Sequence, residues 1–314
     1  MRITACNSLL LWCIVLPDIL WHIVLDCLVD RREFLPVLAM DWFGLLRKAK
    51  NLDGEFGILA PLSSCSKNFL RSVRDTGKPF FLDSDVFEKR GSTWYVENYA
   101  EYKNGRWVHG EALAGREKLM QNIQNFFAQC MEVSPDYVLA PDVFGEPLLS
   151  LHLARLAWQE YSQRPREFKL IGVVQVGDAL YNWQNRQPIP QKDALPPHYN
   201  SPRSFLSSLI SEYRNIGYQY IALGGLLKSD PTMPTGLKFG LSNEQLDDLL
   251  SWSRPDFVLG GLALTRLEVL KKHNVWADST NWLWWDARYD YQRFGHRNAL
   301  QEVVEPPIPQ TVAG

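Results

Sequence analysis

Three carboxylates in this sequence stand where a short apolar run gives way to polar residues. Asp83 follows Pro79-Phe-Phe-Leu, Asp142 ends Asp136-Tyr-Val-Leu-Ala-Pro, and Asp278 follows Val275-Trp-Ala. A carboxylate at the end of a buried strand is available for nucleophilic attack or proton transfer. Gln175 closes a further run, Leu170-Ile-Gly-Val-Val, and the glycine pairs Gly224-Gly225 and Gly260-Gly261 follow two more. Two or more carboxylates without a metal-ligand set suit covalent catalysis at a sugar carbon, where one attacks and another moves protons. Each residue also has a plain structural reading. Asp278-Ser-Thr-Asn281 is good capping chemistry, Gln175 would serve as a satisfied internal amide, and the glycines permit tight turns.

The elements that must position these residues alternate along the chain. Seven apolar runs read as strands: Phe56–Ala60, Pro79–Asp83, Asp136–Asp142, Leu170–Gln175, Tyr218–Leu223, Asp256–Leu259 and Val275–Ala277. Between them lie helical patterns over Gly115–Met131, Leu148–Tyr161, Ser204–Ile216, Ser242–Trp252 and Ala263–Lys272, and Ser242 with Gln245 makes a capping box. Strands too apolar to be half-exposed, separated by helices, indicate a parallel sheet covered on both faces. One uninterrupted series of this length predicts an α/β fold, a (β/α)8 TIM barrel, with an eighth strand near Trp282–Trp285. In such a barrel the strand ends bearing Asp83, Asp142, Gln175, Gly224-Gly225 and Asp278 converge on one mouth. Tyr181–Pro202, carrying several prolines, reads as an irregular excursion able to cover that mouth.

Composition narrows the partners. With 314 residues, 46% of them hydrophobic, the chain can bury a sizeable core. A net charge of −2 gives no global attraction to nucleic acid, so a polynucleotide would have to be held by a local basic face. The five cysteines, Cys6, Cys13, Cys27, Cys65 and Cys130, include no C-x-x-C pair, which suggests neither a disulfide framework nor a cysteine zinc site and fits a reducing cytoplasm. No G-x-G-x-x-G follows a strand, so no nucleotide cofactor is expected, and no metal. Residues 1–50 read as an apolar N-terminal helical extension of uncertain role, residues 51–290 as the barrel, and residues 291–314 as a tail. Within Leu9–Val29 the charges Asp18 and Asp26 would each cost about 2.5–3.5 kcal/mol near the centre of a spanning helix, so no membrane span is expected. No small-x-small cleavage site follows in register for a signal peptide, and a translation start at Met40 is the alternative account of the leader.

Six segments resemble, in order, the strand-end motifs of the tRNA-guanine transglycosylases: Asp83-Ser84-Asp-Val-Phe87, Ala140-Pro-Asp142, Gly172-Val-Val-Gln175, Ala222-Leu-Gly224-Gly225-Leu226, Val258-Leu259-Gly260 and Trp276-Ala-Asp278-Ser279. The resemblance spans roughly Phe56–Tyr291. It implies a TIM barrel that cuts the glycosidic bond of a guanine in a polynucleotide and installs a free 7-deazaguanine base. Asp278 matches the family's nucleophile, and Asp83 the residue that manages the proton of the departing and incoming bases. Asp142 and Gln175 match readers of the base edge, with backbone N–H groups at Gly225 and Leu226 beside them, while Phe87 and Leu259 match the two faces that sandwich the ring. The types agree with these roles. Guanine offers N1–H and N2–H donors that a carboxylate accepts, and an O6 that an amide N–H can meet.

Two departures shape the expected acceptor. Asp85-Val86 stands where the family carries two glycines, and past Asp278 there is no cysteine, whereas the tRNA enzymes hold zinc there with cysteines and a histidine. The pattern is therefore closer to the DNA-modifying DpdA-like relatives, with DNA as the expected partner and tRNA as the alternative. A basic and aromatic stretch carrying Arg288, Arg293 and Arg297 is the candidate contact with phosphates and a displaced base. A homodimer stays open, as does a barrel glycoside or nucleoside hydrolase built on the same paired carboxylates.

Overall fold

The computed structural model describes residues 33–40, 43–50, 52, 55–62, 64–84, 100–103, 106–109, 116–142, 147–165, 167–176, 201–226 and 241–279. Ten strands occur among them: β1 (Pro36–Ala39), β2 (Gly57–Pro61), β3 (Phe80–Asp83), β4 (Ala100–Lys103), β5 (Arg106–His109), β6 (Tyr137–Leu139), β7 (Lys169–Gln175), β8 (Tyr220–Gly224), β9 (Phe257–Val258) and β10 (Trp276–Ser279). β4 and β5 pair only with each other, antiparallel. The other eight are parallel neighbours in chain order, and β10 pairs with β1 to close the barrel. Seven helices connect them: α1 (Phe43–Ala49), α2 (Lys67–Arg74), α3 (Arg116–Val133), α4 (Pro147–Tyr161), α5 (Pro202–Ile216), α6 (Asn243–Ser253) and α7 (Leu267–Lys272). The fold is thus an α/β barrel of the TIM-like kind.

The missing strand lies at the other end of the chain from where the tryptophan run suggested. Pro36–Ala39, inside the stretch read as an extension, is the barrel's first strand, with Val37 opposite Asp278 on one side and Gly57 on the other. A barrel closed in this way needs no strand at Trp282–Trp285, which lies outside the described residues. A chain begun at Met40 would lack β1. Residues 1–32 and the excursion at Tyr181–Pro202 also fall outside the described set, apart from Ser201 and Pro202.

Side-chain alternation along the strands builds two cores. Outward residues such as Leu38, Ile58, Phe80, Leu82, Val174, Leu223 and Ala277 pack beneath the helices. Inward residues form a separate cluster of Val37, Ala39, Leu59, Phe81, Leu139, Ile171, Val173, Ala222, Phe257 and Trp276. At the amino end of the strands this lumen is filled by rings: Phe81 stacks on Tyr137 at 4.6 Å, Tyr137 meets Trp276 edge-on at 5.1 Å, and Tyr220 stacks on Trp276 at 6.0 Å. Towards the carboxyl end the inward residues become small, as at Ala39 and Ala222.

Two copies of one local device start strands β6 and β9. Ser134-Pro-Asp136 and Arg254-Pro-Asp256 each place a left-handed residue (φ 52° and 44°) before proline, which ends the preceding helix. The aspartate then reaches the neighbouring strand: Asp136 Oδ2 accepts from Phe80 N at 2.8 Å and Asp256 Oδ2 from Ile221 N at 2.6 Å. The capping box expected at Ser242 and Gln245 is present, and Ser201 with Ser204 makes a second one ahead of α5.

Candidate active site at the mouth of the barrel

Period-2 alternation carries the inward series straight into the polar residues. Phe81 leads to Asp83, Val173 to Gln175, Ala222 to Gly224, Phe257 to Leu259 and Trp276 to Asp278, each two residues further towards the carboxyl end. The sequence placed these residues at strand ends, and the barrel puts them at one end of one lumen.

Asp278 is buried within β10, and its Oδ1 accepts a hydrogen bond of 2.6 Å from Gly260 N. That turn is shaped to deliver the donor: Gly260 has φ 65°, a conformation glycine adopts without steric penalty, and Leu262 N returns to the Asp278 carbonyl at 3.0 Å. Burial raises the Asp278 carboxyl from its usual 3.8 to about 7, against the opposing pull of the Gly260 N–H.

Asp142 lies three residues past the end of β6, buried, and its Oδ2 accepts from Gln175 Nε2. Burial raises this carboxyl too, to about 7, with the Gln175 hydrogen bond pulling the other way. The amide of Gln175 sits directly over Gly224, its register partner on β8, and a Cβ there would run into Nε2. Glycine at 224 therefore makes room for the Gln175 amide where it lies, and the next residue, Gly225, takes φ 78° to turn the chain. Leu226 beyond it is buried.

Asp83 ends β3, half-buried, and its backbone carbonyl accepts from Leu62 N at 3.1 Å. Ser84 beside it is buried, and its Oγ has no hydrogen-bond partner among the described residues. An unpaired buried hydroxyl costs about 1–3 kcal/mol. Leu259 follows β9 and packs against the inward cluster. Phe87, Arg288, Arg293 and Arg297 lie outside the described residues.

The structure thus ties Asp142 to Gln175 and Gly224, and Asp278 to Gly260, at the same end of the barrel that carries Asp83 and Ser84. Three carboxylates, an oriented amide and two glycine turns can bind a flat, hydrogen-bonding ligand and attack an electrophilic carbon. A groove of about 540 Å³ lies elsewhere, around Pro79, Asp136, Tyr137, Trp158, Lys169 and Tyr220 at the amino ends of the strands. In barrels of this kind the amino face serves stability, and the groove holds none of the carboxylates Asp83, Asp142 and Asp278. Sequence reasoning passed over Arg266, because Ala263–Lys272 reads as one amphipathic helix on which an arginine belongs to the surface. Residues 264–266 instead form a short 3-10 turn, and Arg266 is buried.

Comparison of the chain with models of protein families and with curated proteins returns no match. Among the described residues, no cluster of three or more His, Cys, Asp or Glu could hold a metal ion. No helix among them is long and apolar enough to cross a membrane.

Proposed function

We propose that this chain is a base-exchange transglycosylase that replaces guanine in DNA with a 7-deazaguanine base through a covalent aspartyl-sugar intermediate. The observation that carries the reading is Asp278, a buried carboxylate aimed into the barrel mouth, steadied by one backbone N–H and facing the end of the lumen where Asp83, Asp142 and Gln175 also stand. The ordered resemblance of six strand-end motifs to the tRNA-guanine transglycosylases supports it.

In the first half-reaction a carboxylate oxygen of Asp278 bonds to C1′ as the C1′–N9 bond breaks. The electron pair goes to N9 of the leaving guanine, which takes a proton from Asp83 acting as general acid. In the second, Asp83 as carboxylate removes the N9 proton of the incoming base. Its nitrogen then bonds to C1′ and expels Asp278. Asp142 accepts from N1–H and N2–H of the bound base, which requires its ionised form. The donor from Gln175 favours that form. Gly260 N–H likewise favours the attacking carboxylate over the neutral acid.

DNA is preferred over tRNA because the cysteine-and-histidine zinc site of the tRNA enzymes has no counterpart past Asp278, where the chain has no cysteine. An N-terminal segment preceding β1 and a cytoplasmic setting complete the proposal. Arg288, Arg293 and Arg297 are assigned to the phosphate backbone. A target guanine in duplex DNA has to be unstacked at a cost of a few kcal/mol, so single-stranded or mismatched sites should react faster. The test is to incubate the purified chain with labelled guanine and, separately, duplex DNA, single-stranded DNA and tRNA. Label entering DNA, fastest on single strands, supports the reading. Label confined to tRNA overturns the DNA preference, free base released without incorporation indicates a hydrolase, and no reaction with any pool overturns the function.

A further inference from the structure

Arg266 is a buried cation that the proposed chemistry does not use. It stands in the 3-10 turn between β9 and α7, and burial pushes its guanidinium below the usual arginine range. Among the described residues no carboxylate lies within ion-pair distance of it. Its partners are two backbone carbonyls instead: Nη1 donates to Leu226 at 3.5 Å and Nη2 to Leu241 at 3.0 Å. Taking a guanidinium out of water without a carboxylate is costly, and such a group persists where the groups it holds must stay together.

What it holds are the two halves of the mouth. Leu226 ends the Gly224–Leu226 turn, whose first residue lies under the Gln175 amide. Arg266 itself ends the 259–266 segment, whose Gly260 N–H grips Asp278 and whose Leu262 N–H grips the Asp278 carbonyl. A second tie holds the same 3-10 turn from the start of α6, where Asn243 Nδ2 donates to the Thr265 carbonyl at 2.6 Å. The planar guanidinium donates to the two carbonyls from different nitrogens held in a rigid fork, a geometry that the single ammonium of lysine does not reproduce.

We propose that Arg266 is a positioning residue that locks the Gly224–Leu226 turn to the Gly260 turn, so that the base-reading backbone and the hydrogen bond to Asp278 keep one geometry. The coupling to catalysis rests on the transglycosylase reading, whereas the mechanical coupling does not.

The test uses the full chain with Arg266→Met, which keeps length and removes both the donors and the buried charge, and Arg266→Lys, which can restore one of the two bonds. Residue-resolved amide exchange is measured at Gly260, Leu262 and Val176, whose N–H groups bond Asp278 Oδ1, the Asp278 carbonyl and the Gly224 carbonyl. Ala140, bonded to Ile171 on β7, serves as the control. In Arg266→Met the three site amides should exchange at least about tenfold faster, the scale of losing a charged hydrogen bond, with Ala140 unchanged and Arg266→Lys intermediate. Asn243→Ala, at an exposed position, should loosen the same amides by a smaller factor. Where the wild-type chain exchanges guanine, KM for the base should rise about tenfold in Arg266→Met and recover in part in Arg266→Lys. Equal acceleration of all four amides would mean general destabilisation and overturn the proposal, as would unchanged site amides. A wild-type chain inactive on guanine defeats the transglycosylase reading alone, because the amide measurement still decides the role of Arg266.

Discussion

Replacing Asp278 with asparagine should stabilise the folded chain while removing the attacking group, and the gain should grow with pH. The folded carboxyl sits at about 7 and the unfolded one at its usual 3.8. Below 3.8 both states hold the proton and burial of the side chain adds no charge penalty. Between 3.8 and about 7 the unfolded chain has released its proton and the folded chain has not, so wild-type stability falls as pH rises. Above 7 the full penalty is present: the gap of about three pH units, at about 1.4 kcal/mol each, amounts to about 4 kcal/mol. At pH 5 the penalty is less than half of that. Asparagine stays neutral and its carbonyl can still accept from Gly260 N–H, so it escapes this penalty at every pH. The advantage of Asp278→Asn should therefore increase by about 2–3 kcal/mol from pH 5 to pH 8, or about 4 °C in Tm for a chain of this size. Thermal unfolding of both proteins at the two pH values measures it, and the difference between them cancels any pH-independent effect of the substitution. A stability difference between variant and wild type that is equal at pH 5 and pH 8, or that shifts against the variant as pH rises, would refute the account of Asp278 as a buried carboxylate held against its own desolvation. Base exchange by the same variant should be abolished, since an amide lacks comparable nucleophilicity at C1′.

Other outcomes follow from the same geometry. Asp83→Asn should lower turnover by about 10²–10⁴ and leave binding of the base nearly intact, because only proton transfer to and from N9 is lost; unchanged turnover in a pH series would remove the assignment. Gly224→Ala should drive the Gln175 amide off Asp142 and raise KM for the base by about 10–100-fold with a small effect on Tm, the scale of one disturbed buried hydrogen bond. A Tm loss without a KM change would place the glycine's role in folding alone. Asp256→Ala, at the opposite end of the barrel, should cost about 1–3 kcal/mol by leaving Ile221 N–H unpaired, with KM unaltered in the folded fraction. Changing Arg288, Arg293 and Arg297 together to glutamine should flatten the salt dependence of DNA binding by a slope of up to about 3, and an unchanged slope would show that this stretch is not the contact surface.

The barrel was legible in the sequence because each of seven strands is an uninterrupted apolar run, which only burial on both faces can tolerate. The eighth escaped for a physical reason. Pro36–Ala39 is only four residues long and opens on a proline, a short run set just behind the charged Asp30-Arg-Arg-Glu33, while the tryptophans at 282–285 imitate a strand by β-propensity. The β4–β5 hairpin was passed over as well, being two runs of only four residues that mix charged and aromatic types. At the mouth, residue type and position at a strand's end were enough to single out Asp83, Asp142, Gln175 and Asp278. Contacts between different strands were not legible. That Gln175 lies over Gly224, or that Arg266 is turned inward to two carbonyls, depends on register and on side-chain direction across strands, and neither leaves a periodic trace in the chain.

Among the described residues, the packing of Phe81, Tyr137, Tyr220, Phe257 and Trp276 closes the amino end of the lumen. On the proposed transglycosylase reading, a base that leaves the sugar would depart past the carboxyl ends of the strands, along the route its replacement takes. Departure would then precede arrival, with the sugar held on Asp278 in between. Guanine set free by one turnover would be a rival of the next incoming base for the same seat, and its accumulation would throttle exchange from the product side.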